Sequence, residues 1–311
     1  MVDLSTRLGK PVSSFVFGVM QFGGKADEGA SQVLFDAARA GGITAFDAAY
    51  VYTDGAAETL LGKFAARERE ALTLISKVYS EPGTAPDTLV NQALESVERL
   101  RTDAIDILYL HRYPGDEALH ATLEAMRDLY VENTFHILGV SNFAAWQVMK
   151  AQAAAEEVGA PRIEMLQPMY NLVKRQAEVE ILPMAQAEGL GVHAYSPLGG
   201  GLLTGKYARG DAGRLTQDAM YKARYAPDWM HRTATDLSAL AAETGHTAEA
   251  LAVAWVAAHP GVTAPIVSAS APDQLAPSLA AAQVEMTPEL YARLSALSPT
   301  PPPATDRLEE A

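Results

Sequence analysis

The sequence predicts an α/β fold, a single (β/α)8 TIM barrel, and three observations favour it. Eight short runs rich in β-branched and aromatic residues alternate with longer amphipathic segments, which is typical of repeated βα units around a parallel sheet. No composition shift or long linker divides the 311 residues, a length that such barrels commonly fill as one domain. No Gly-x-Gly-x-x-Gly follows the first strand, which counts against the rival fold, a doubly wound open sheet.

Eight runs are predicted to be the strands of the barrel. In chain order they are Phe15–Met20, Thr44–Ala48, Leu72–Lys77, Ile105–His111, Phe135–Ser141, Ile163–Gln167, Leu190–Tyr195 and Ala264–Ser268. Amphipathic segments lie between them. Pro86–Leu100 places Leu89, Ala93, Val97 and Leu100 on one helical face, and Asp116–Val131 has a similar pattern. These segments are expected to form the outer ring of helices.

Two segments depart from this alternation. Between Ser196 and Arg232, Gly-rich and then charged residues replace a prompt helix, which predicts a long loop. Loops after strands lie on the catalytic face of a TIM barrel, so we expect a lid or cofactor clamp here. The Pro-rich and then acidic stretch Ser298–Ala311 predicts either a mobile tail or a strap over the barrel. We therefore assign residues 1–297 to the barrel domain and residues 298–311 to a tail.

Composition and charge limit the partners of the chain. With 49% hydrophobic and 20% charged residues, the chain has the composition of a globular protein with a substantial core. A formal net charge of -14 opposes binding to nucleic acid and to an anionic membrane surface, so neither is expected as a partner. An anionic cofactor or substrate must then be held by a few locally placed cations.

The chain contains no cysteine, which excludes disulfides, thiolate nucleophiles and Cys-ligated zinc. No metal site is expected. Met1–Lys10 lacks the apolar core of a signal peptide, and no apolar run reaches the ~20 residues of a membrane helix. We expect a cytoplasmic protein, and the sequence leaves its oligomeric state open.

Polar residues unsuited to a strand interior recur where the predicted strands end. They are Asp47, Lys77, His111, Ser141, Asn142, Gln167 and Tyr195. The carboxyl ends of TIM-barrel strands converge on one mouth, so these side chains are expected to form a site. Each also has a simpler interpretation: Asp47 as a helix cap, Lys77 as a solvated lysine and His111 as a buried, hydrogen-bonded polar group.

Five motifs follow one another along the chain. They are Phe46-Asp47-Ala48-Ala49-Tyr50-Val51-Tyr52-Thr53-Asp54-Gly55 with Glu58 and Leu61-Gly62 after it, Ile75-Ser76-Lys77-Val78, Asp106-Ile107-Leu108-Tyr109-Leu110-His111, Gly139-Val140-Ser141-Asn142-Phe143 and Gln167-Pro168-Met169-Tyr170-Asn171. In this order they resemble the aldo-keto reductase family, and the resemblance extends roughly from Phe17 to Ala282. The joint match is far more specific than any single motif.

Further segments are similar to the aflatoxin-aldehyde reductase branch of that family. These are Tyr52-Thr53-Asp54-Gly55, Arg175-Gln176 and Tyr195-Ser196-Pro197-Leu198-Gly199-Gly200-Gly201-Leu202-Leu203-Thr204-Gly205-Lys206-Tyr207.

The resemblance implies a catalytic tetrad of Asp47, Tyr52, Lys77 and His111. A free tyrosine, with a pKa near 10, is a reluctant proton donor at neutral pH. The Lys77 ammonium is expected to lower the pKa of Tyr52, while Asp47 keeps Lys77 charged and oriented. His111 would donate a hydrogen bond to the substrate carbonyl and support the developing alkoxide.

The same resemblance implies a bound nicotinamide cofactor. Ser141, Asn142 and Gln167 would hold the carboxamide, and the ring of Tyr195 would stack on the nicotinamide. The backbone of the turn that follows Tyr195 would approach the pyrophosphate, since glycine permits close contact. The turn residues concerned are Ser196, Pro197, Leu198 and Gly200. The alternative is an ordinary Gly-rich turn.

The match weakens in the last cofactor segment, around Ser268, Ser270 and Gln274. Relatives often have glycine where Ser268 stands, and many place a lysine or arginine in this segment for a 2′-phosphate, which this chain lacks. Channel β subunits of the family instead reach the phosphates with basic residues of the long seventh loop, and Lys206 and Arg214 match these. The resemblance therefore favours NADPH, with NADH as the alternative, and both cations could instead be solvated.

The resemblance also implies a small carbonyl compound as substrate. An apolar and aromatic wall is expected from Met20, Tyr79, Tyr113, Phe143, Tyr221 and Tyr225. Arg224 is similar to an arginine that meets carboxylated aldehydes in the aflatoxin-aldehyde reductase branch, and such a bidentate cation would select acids. The alternatives are that the residues of this wall serve only in packing and that Arg224 is an ordinary surface arginine.

Three classes of function follow from these observations. The first is a carbonyl reductase. The second is a nucleotide-binding subunit that reports redox state to a partner, as the resemblance to potassium-channel β subunits allows. The third is a non-catalytic scaffold, for which loss of Tyr52 or Lys77 would be expected, and both residues are present.

Overall fold

Eight parallel strands close into a barrel in which each strand pairs with its neighbours in sequence and β1 pairs with β8. The computed structural model describes residues 4–305 and 307. The strands are β1 Val16–Gly18, β2 Ala45–Asp47, β3 Thr73–Val78, β4 Ile105–Leu110, β5 Phe135–Ser141, β6 Ile163–Gln167, β7 Gly191–Tyr195 and β8 Ala264–Val267. The predicted TIM barrel is confirmed, and the open-sheet alternative is excluded.

Helices surround the barrel. They are α1 Glu28–Ala40, α2 Ala56–Ala65, α3 Pro86–Leu100, α4 Leu119–Val131, α5 Ala145–Val158, α6 Ile181–Ala187, α7 Arg214–Gln217, α8 Ala219–Arg224, α9 Asp228–Thr244, α10 Ala248–Ala257, α11 Pro272–Leu279 and α12 Pro288–Ser295. Helix α3 has the predicted bounds. Helix α4 begins three residues after Asp116, whose carboxylate is instead engaged by Lys150 at 2.8 Å. Among residues 4–305 and 307, no helix combines the length and the apolarity needed to cross a membrane.

The core has two layers because side chains on a strand alternate in direction. A large cluster that includes Phe17, Phe46 and Leu74 fills the space between the strands and the helices. A smaller cluster fills the barrel interior. It contains Val16, Ala45, Ile75, Ile107, Tyr109, Met165, Ala264 and Ile266. Of the predicted polar residues, Asp47, Ser141, Gln167 and Tyr195 end their strands, Lys77 is the next to last residue of β3, and His111 and Asn142 directly follow β4 and β5.

The segment from Ser196 to Arg232, predicted to be a long loop, contains several short helical elements. It contains 3-10 turns at Gly199–Thr204 and Lys206–Arg209 and then helices α7, α8 and the first turn of α9. The Asp218 carboxylate caps α8 by accepting hydrogen bonds from two backbone N–H groups of its first turn. A Cβ on Gly200 would stand 2.8 Å from the ring of Tyr221, so α8 packs closely on the turn after β7. Tertiary packing thus orders a segment that lacks a local helical signal.

The chain after α12 returns to the barrel. Arg175 donates hydrogen bonds to the backbone carbonyls of Ser295 and Ser298, and Ser298 is 7% exposed. Residues 300–303 have no helix or strand, and the last part of the predicted tail lies outside the described residues. The division of the chain at residue 297 stays a prediction.

Candidate active site

Four side chains predicted to form a tetrad meet at the carboxyl end of the barrel. The Lys77 ammonium, from β3, donates hydrogen bonds to the Asp47 carboxylate at 2.6 Å and to the Ala48 carbonyl at 2.7 Å. The same Nζ lies 5.1 Å from the centroid of the Tyr52 ring. The ring of His111, which follows β4, lies 6.1 Å from that of Tyr52 and nearly perpendicular to it. The structure brings an acid, a lysine, a tyrosine and a histidine together.

A strained turn holds Tyr52 over the mouth. Thr53 and Asp54 have φ values of 48° and 52°, and Gly55 follows at 87°. Left-handed backbone costs about 1–2 kcal/mol for each non-glycine residue, so surrounding contacts must stabilise it. The Thr53 hydroxyl supplies two of them, since it donates to the Phe22 carbonyl and accepts from the Ala57 N–H.

A buried carboxylate anchors the helix that follows this turn. Glu58 is fully buried, accepts a short hydrogen bond from Ser76 and pairs with Arg99 Nη1 at 3.3 Å. The Arg99 guanidinium also lies 4.5 Å from the ring centroid of Tyr50. Since Ser76 precedes Lys77 in β3, this network joins the Tyr52 turn to the lysine strand. The sequence motif contained Glu58, but no role followed from its pattern.

Burial controls the ionisation of the tetrad. Burial opposes the charged form of Lys77, but the Asp47 carboxylate and hydrogen bonding together raise the pKa of Lys77 above its usual value. Burial also raises the pKa of Tyr52, and this outweighs the lowering effect of Lys77. The expectation that Lys77 lowers the pKa of Tyr52 below its usual value is therefore wrong for this structure. Tyr52 is a neutral phenol beside a charged lysine.

His111 is a neutral imidazole at ordinary pH. Burial, followed by the charges of Lys77 and Arg112, lowers the pKa of His111 to about 3. Its Nδ1 atom is buried and has no hydrogen-bond partner among the described residues. A neutral ring can donate from one nitrogen without adding a second positive charge next to Lys77.

The four residues predicted to contact the nicotinamide form one hydrogen-bonded network. Gln167 donates to Asp47 Oδ2 at 2.8 Å, and the Ser141 hydroxyl donates to the Gln167 carbonyl at 3.0 Å. Asn142, at φ 61°, donates to the His111 carbonyl and to Ser141. The Tyr195 hydroxyl donates to Asn142 Oδ1 at 2.7 Å. The network ties the predicted cofactor side of the mouth to the tetrad.

The turn after β7 has the open backbone expected for a phosphate site. Ser196, Gly200 and Gly201 have φ values of 59°, 65° and 93°, and Pro197 and Leu198 lie between them in the chain. A Cβ on Gly201 would stand 3.2 Å from Lys206 Nζ, so the ammonium lies directly against this backbone. Burial, with repulsion from Arg214 and Lys25, lowers the pKa of Lys206. An anion bound at this turn would stabilise the charged form of Lys206.

The segment after β8 also contains an unused polar group. The Ser268 hydroxyl is buried and has no hydrogen-bond partner among the described residues. Ser270 donates to the Gln274 side chain at 3.0 Å near the start of α11. A free buried hydroxyl, an open glycine turn and unpaired cations on one barrel mouth fit a nicotinamide dinucleotide.

Some of the predicted substrate residues are exposed at the mouth, and others are buried behind them. Met20, Tyr79, Tyr113 and Tyr221 are partly exposed, and so is Arg224. Phe143 is 5% exposed and packs edge-on against Tyr113, with ring centroids 5.2 Å apart. Tyr225 is fully buried, and its hydroxyl lies 3.8 Å from the sulfur of Met169. In this conformation the last two side chains support the wall rather than form its surface.

Two further cations lie beside the mouth and were missed by the sequence interpretation. Arg112 directly follows His111, and its guanidinium lies 5.4 Å from the ring centroid of Tyr79. Lys174, after β6, places its ammonium 5.6 Å from the ring centroid of Tyr225. Adjacency to His111 could have indicated Arg112, but no local pattern distinguishes Lys174 from a surface lysine.

Comparisons with known proteins agree with the motifs. A model of the aldo/keto reductase family matches residues 14–299. The uncharacterized oxidoreductase YrpG of Bacillus subtilis strain 168 is 35% identical over 95% of both chains. A probable voltage-gated potassium channel subunit beta of Oryza sativa subsp. japonica is 30% identical over 96% of this chain and 97% of its own. The human aflatoxin B1 aldehyde reductase member 4 is 34% identical over 66% of this chain and 63% of its own.

Proposed function

This chain belongs to the aldo/keto reductase family, and on that basis we propose that it reduces small aldehydes or ketones with NADPH, using Tyr52 as the general acid. Family membership itself implies NAD(P)H-dependent carbonyl reduction. The observation that carries the finer proposal is the buried pair of Lys77 and Asp47 next to the Tyr52 ring.

In the proposed reaction, a nicotinamide held at this mouth would supply a hydride to the substrate carbonyl carbon. As the carbonyl oxygen gains negative charge, the Tyr52 hydroxyl donates its proton to that oxygen. The Tyr52 phenolate that remains is stabilised by the Lys77 ammonium, and Asp47 keeps that ammonium charged. The raised pKa of Tyr52 keeps it protonated until the transition state forms.

His111 orients the carbonyl in this mechanism. As a neutral ring it donates one hydrogen bond to the substrate oxygen and does not compete with Tyr52 as a proton source. The Asn142 amide donates to the backbone carbonyl of His111 at 3.0 Å, which supports this position.

We assign the cofactor to the side of the mouth formed by β5 to β8. Ser141, Asn142 and Gln167 would hold the carboxamide, and Tyr195 would stack on the ring. The remaining proposed contacts are Ser196, Pro197, Leu198, Gly200, Ser268, Ser270 and Gln274. Lys206 and Arg214 are the proposed cations for the phosphates, and they favour NADPH over NADH. A cytoplasmic location is part of the same proposal.

We further propose that Arg224 binds an anionic group on the substrate. Its guanidinium lies 5.2 Å from the ring centroid of Tyr221, and no carboxylate pairs with it among the described residues. An unpaired arginine beside the mouth favours carboxylated aldehydes.

The test is cofactor consumption at neutral pH with succinic semialdehyde, 2-carboxybenzaldehyde, 4-nitrobenzaldehyde, methylglyoxal and phenanthrenequinone. We expect turnover with NADPH exceeding that with NADH. A lower KM for the carboxylated compounds is expected in the wild type, and Arg224→Met should remove that advantage. Absence of turnover with both cofactors across the panel would contradict the reductase proposal.

A second candidate is a nucleotide-binding, redox-sensing subunit. It is favoured by the full-length similarity to proteins described as potassium channel β subunits. The complete tetrad argues for catalysis, because a sensor does not require a positioned acid. Tight NADPH binding measured by calorimetry, together with no turnover of the panel above, would favour the sensor.

A further inference from the structure

Besides Lys206 and Arg214, three cations around the mouth have no acidic partner among the described residues, although the chain carries a net charge of -14. They are Arg112, Lys174 and Arg224. Several arginines elsewhere around the barrel are paired, as Arg99 is with Glu58 and Glu95. Acidic side chains are abundant, so the absence of one beside these three cations is a feature of this surface.

Lys174 and Arg224 each lie against an aromatic ring of the same segment, Lys174 against Tyr225 and Arg224 against Tyr221. The Lys174 ammonium lies over the Tyr225 ring, and Arg224 is the residue before that tyrosine. Lys174 is half-buried, and burial together with the charge of Arg224 lowers the pKa of Lys174. The charge of Arg224 thus acts on the Lys174 ammonium, and no acidic side chain pairs with either of them among the described residues.

The loop that carries Lys174 is joined to the turn after β7. Asn171, at the start of the β6 loop that carries Lys174, donates a hydrogen bond to the Ser196 carbonyl in the turn after β7. Burial raises the pKa of Tyr195 to about 12, and the charges of Arg224 and Arg112 both oppose this. The hydroxyl of Tyr195 therefore lies within the field of cations from two different loops.

The arrangement exceeds what a carboxylate needs. One arginine can bind a carboxylate through two parallel hydrogen bonds. A second unpaired and half-buried ammonium on the same surface is better balanced by a group with a second negative charge. We propose that Lys174 and Arg224 together bind a dianionic group, such as a phosphate monoester, on the carbonyl substrate. This inference rests on the proposed reductase function, and Arg112 contributes attraction from the facing loop.

The experiment compares three para-substituted benzaldehydes with NADPH: 4-nitrobenzaldehyde, 4-carboxybenzaldehyde and 4-formylphenyl phosphate. In the wild type we expect KM to fall along this series from neutral to dianionic. In Lys174→Met we expect KM for the phosphate to rise about tenfold, that for the carboxylate to rise less and that for the nitro compound to stay constant. Lys174→Arg should retain the preference, because it keeps the charge.

The control is Lys222→Met, which removes an exposed lysine from α8 without touching the proposed cradle. Phosphate esters lose their second proton near pH 6, so the ratio of phosphate to carboxylate KM should fall as pH rises through that value. Equal KM changes for the three aldehydes in Lys174→Met would overturn the inference. A weaker Kd for NADPH in that variant would also overturn it, since Lys174 would then belong to the cofactor phosphates.

A binding measurement separates this inference from the proposed function. Calorimetric titration of the NADPH-loaded protein with 4-formylphenyl phosphate needs no turnover. If the wild type binds the phosphate and Lys174→Met does not, the dianion site stands even when reduction is absent. If the nitro compound is reduced but the phosphate binds no better than the carboxylate, the reductase stands and the dianion site does not.

Discussion

Lys77 Nζ lies 2.6 Å from Asp47 Oδ1, and both side chains are buried, with 0% and 4% of their side-chain surface exposed. An ion pair of this kind is costly to break, because the remaining charge has no solvent to stabilise it. Gln167 occupies the other oxygen of Asp47, so the carboxylate is held from two strands. The pair therefore fixes both the charge and the position of the lysine next to Tyr52.

Asp47→Asn should impair both stability and catalysis. With the carboxylate removed, burial lowers the pKa of Lys77, and the amide cannot balance an ammonium. We expect a loss of about 3 kcal/mol in the free energy of unfolding and about a 100-fold fall in kcat. Urea unfolding and steady-state kinetics measure these. Glu95→Gln is the matched control, since its half-exposed pair with Arg99 should contribute under about 1 kcal/mol.

Tyr52→Phe removes the proposed acid and keeps the ring. We expect kcat for aldehyde reduction to fall by at least about 100-fold, while the Kd for NADPH changes less than about twofold. Fluorescence titration measures the second quantity. Turnover close to that of the wild type would show that another group supplies the proton. Tyr50→Phe is a suitable control, because Tyr50 donates to Glu95 away from the tetrad.

The pH dependence of reduction follows from the direction of the Tyr52 pKa. Reduction needs the protonated phenol, so activity should be lost only as pH rises through a pKa above the usual tyrosine value. His111, with a pKa of about 3, stays neutral throughout the assay range. We expect single-turnover rates to be flat between about pH 6 and pH 9. A decline centred near neutrality would mean that Lys77 outweighs burial once the site is filled.

The sequence predicted the features that depend on strand order. The ends of β5 and β6 and the bounds of α3 match the prediction, because hydrophobic period and end signals are local. Asp47, Lys77 and Gln167 were grouped correctly because parallel barrel strands end at one mouth. The direction of the Tyr52 pKa was missed, since burial depends on the complete fold. Lys174 was missed for a similar reason, as the lack of an acidic partner is a property of distant segments.

Because His193 is buried as a neutral ring, we expect the protein to lose stability as pH falls. The Nδ1 atom of His193 lies 3.2 Å from the Tyr109 hydroxyl inside the barrel, and burial together with the Lys77 charge lowers the pKa of His193 to about 3. The unfolded histidine has a pKa near 6.5. Between these values only the unfolded state is protonated, so stability is lost as pH falls below about 6.5.

Each such histidine contributes a slope of up to about 1.4 kcal/mol per pH unit. His193→Gln should reduce the slope by about that amount, because an amide can still bond to Tyr109 and does not titrate. Urea unfolding from pH 7 to 4.5 measures the slope, and comparison with the wild type cancels the carboxylates. His136→Gln is the control, since His136 is exposed. Equal slopes in His193→Gln and the wild type would contradict the buried neutral state.

We expect Lys206 and Arg214 to determine the preference for NADPH over NADH. Lys206 lies against the Gly201 backbone, and the Arg214 guanidinium lies 5.4 Å from the ring centroid of Tyr221. If they bind phosphates, Lys206→Met and Arg214→Met should raise KM for NADPH about tenfold. If the substituted cation contacts the 2′-phosphate, its loss should leave KM for NADH nearly unchanged. If it contacts the pyrophosphate, its loss should raise KM for both cofactors.

The matched control is Arg209→Met. Arg209 is exposed in the same segment and pairs with Asp211 at 3.5 Å, so its loss should change neither KM. High salt should weaken NADPH binding in the wild type more than in the double variant, because screening acts on the same charges. If both variants bind NADPH as tightly as the wild type, the two cations are solvated and another feature sets the cofactor preference.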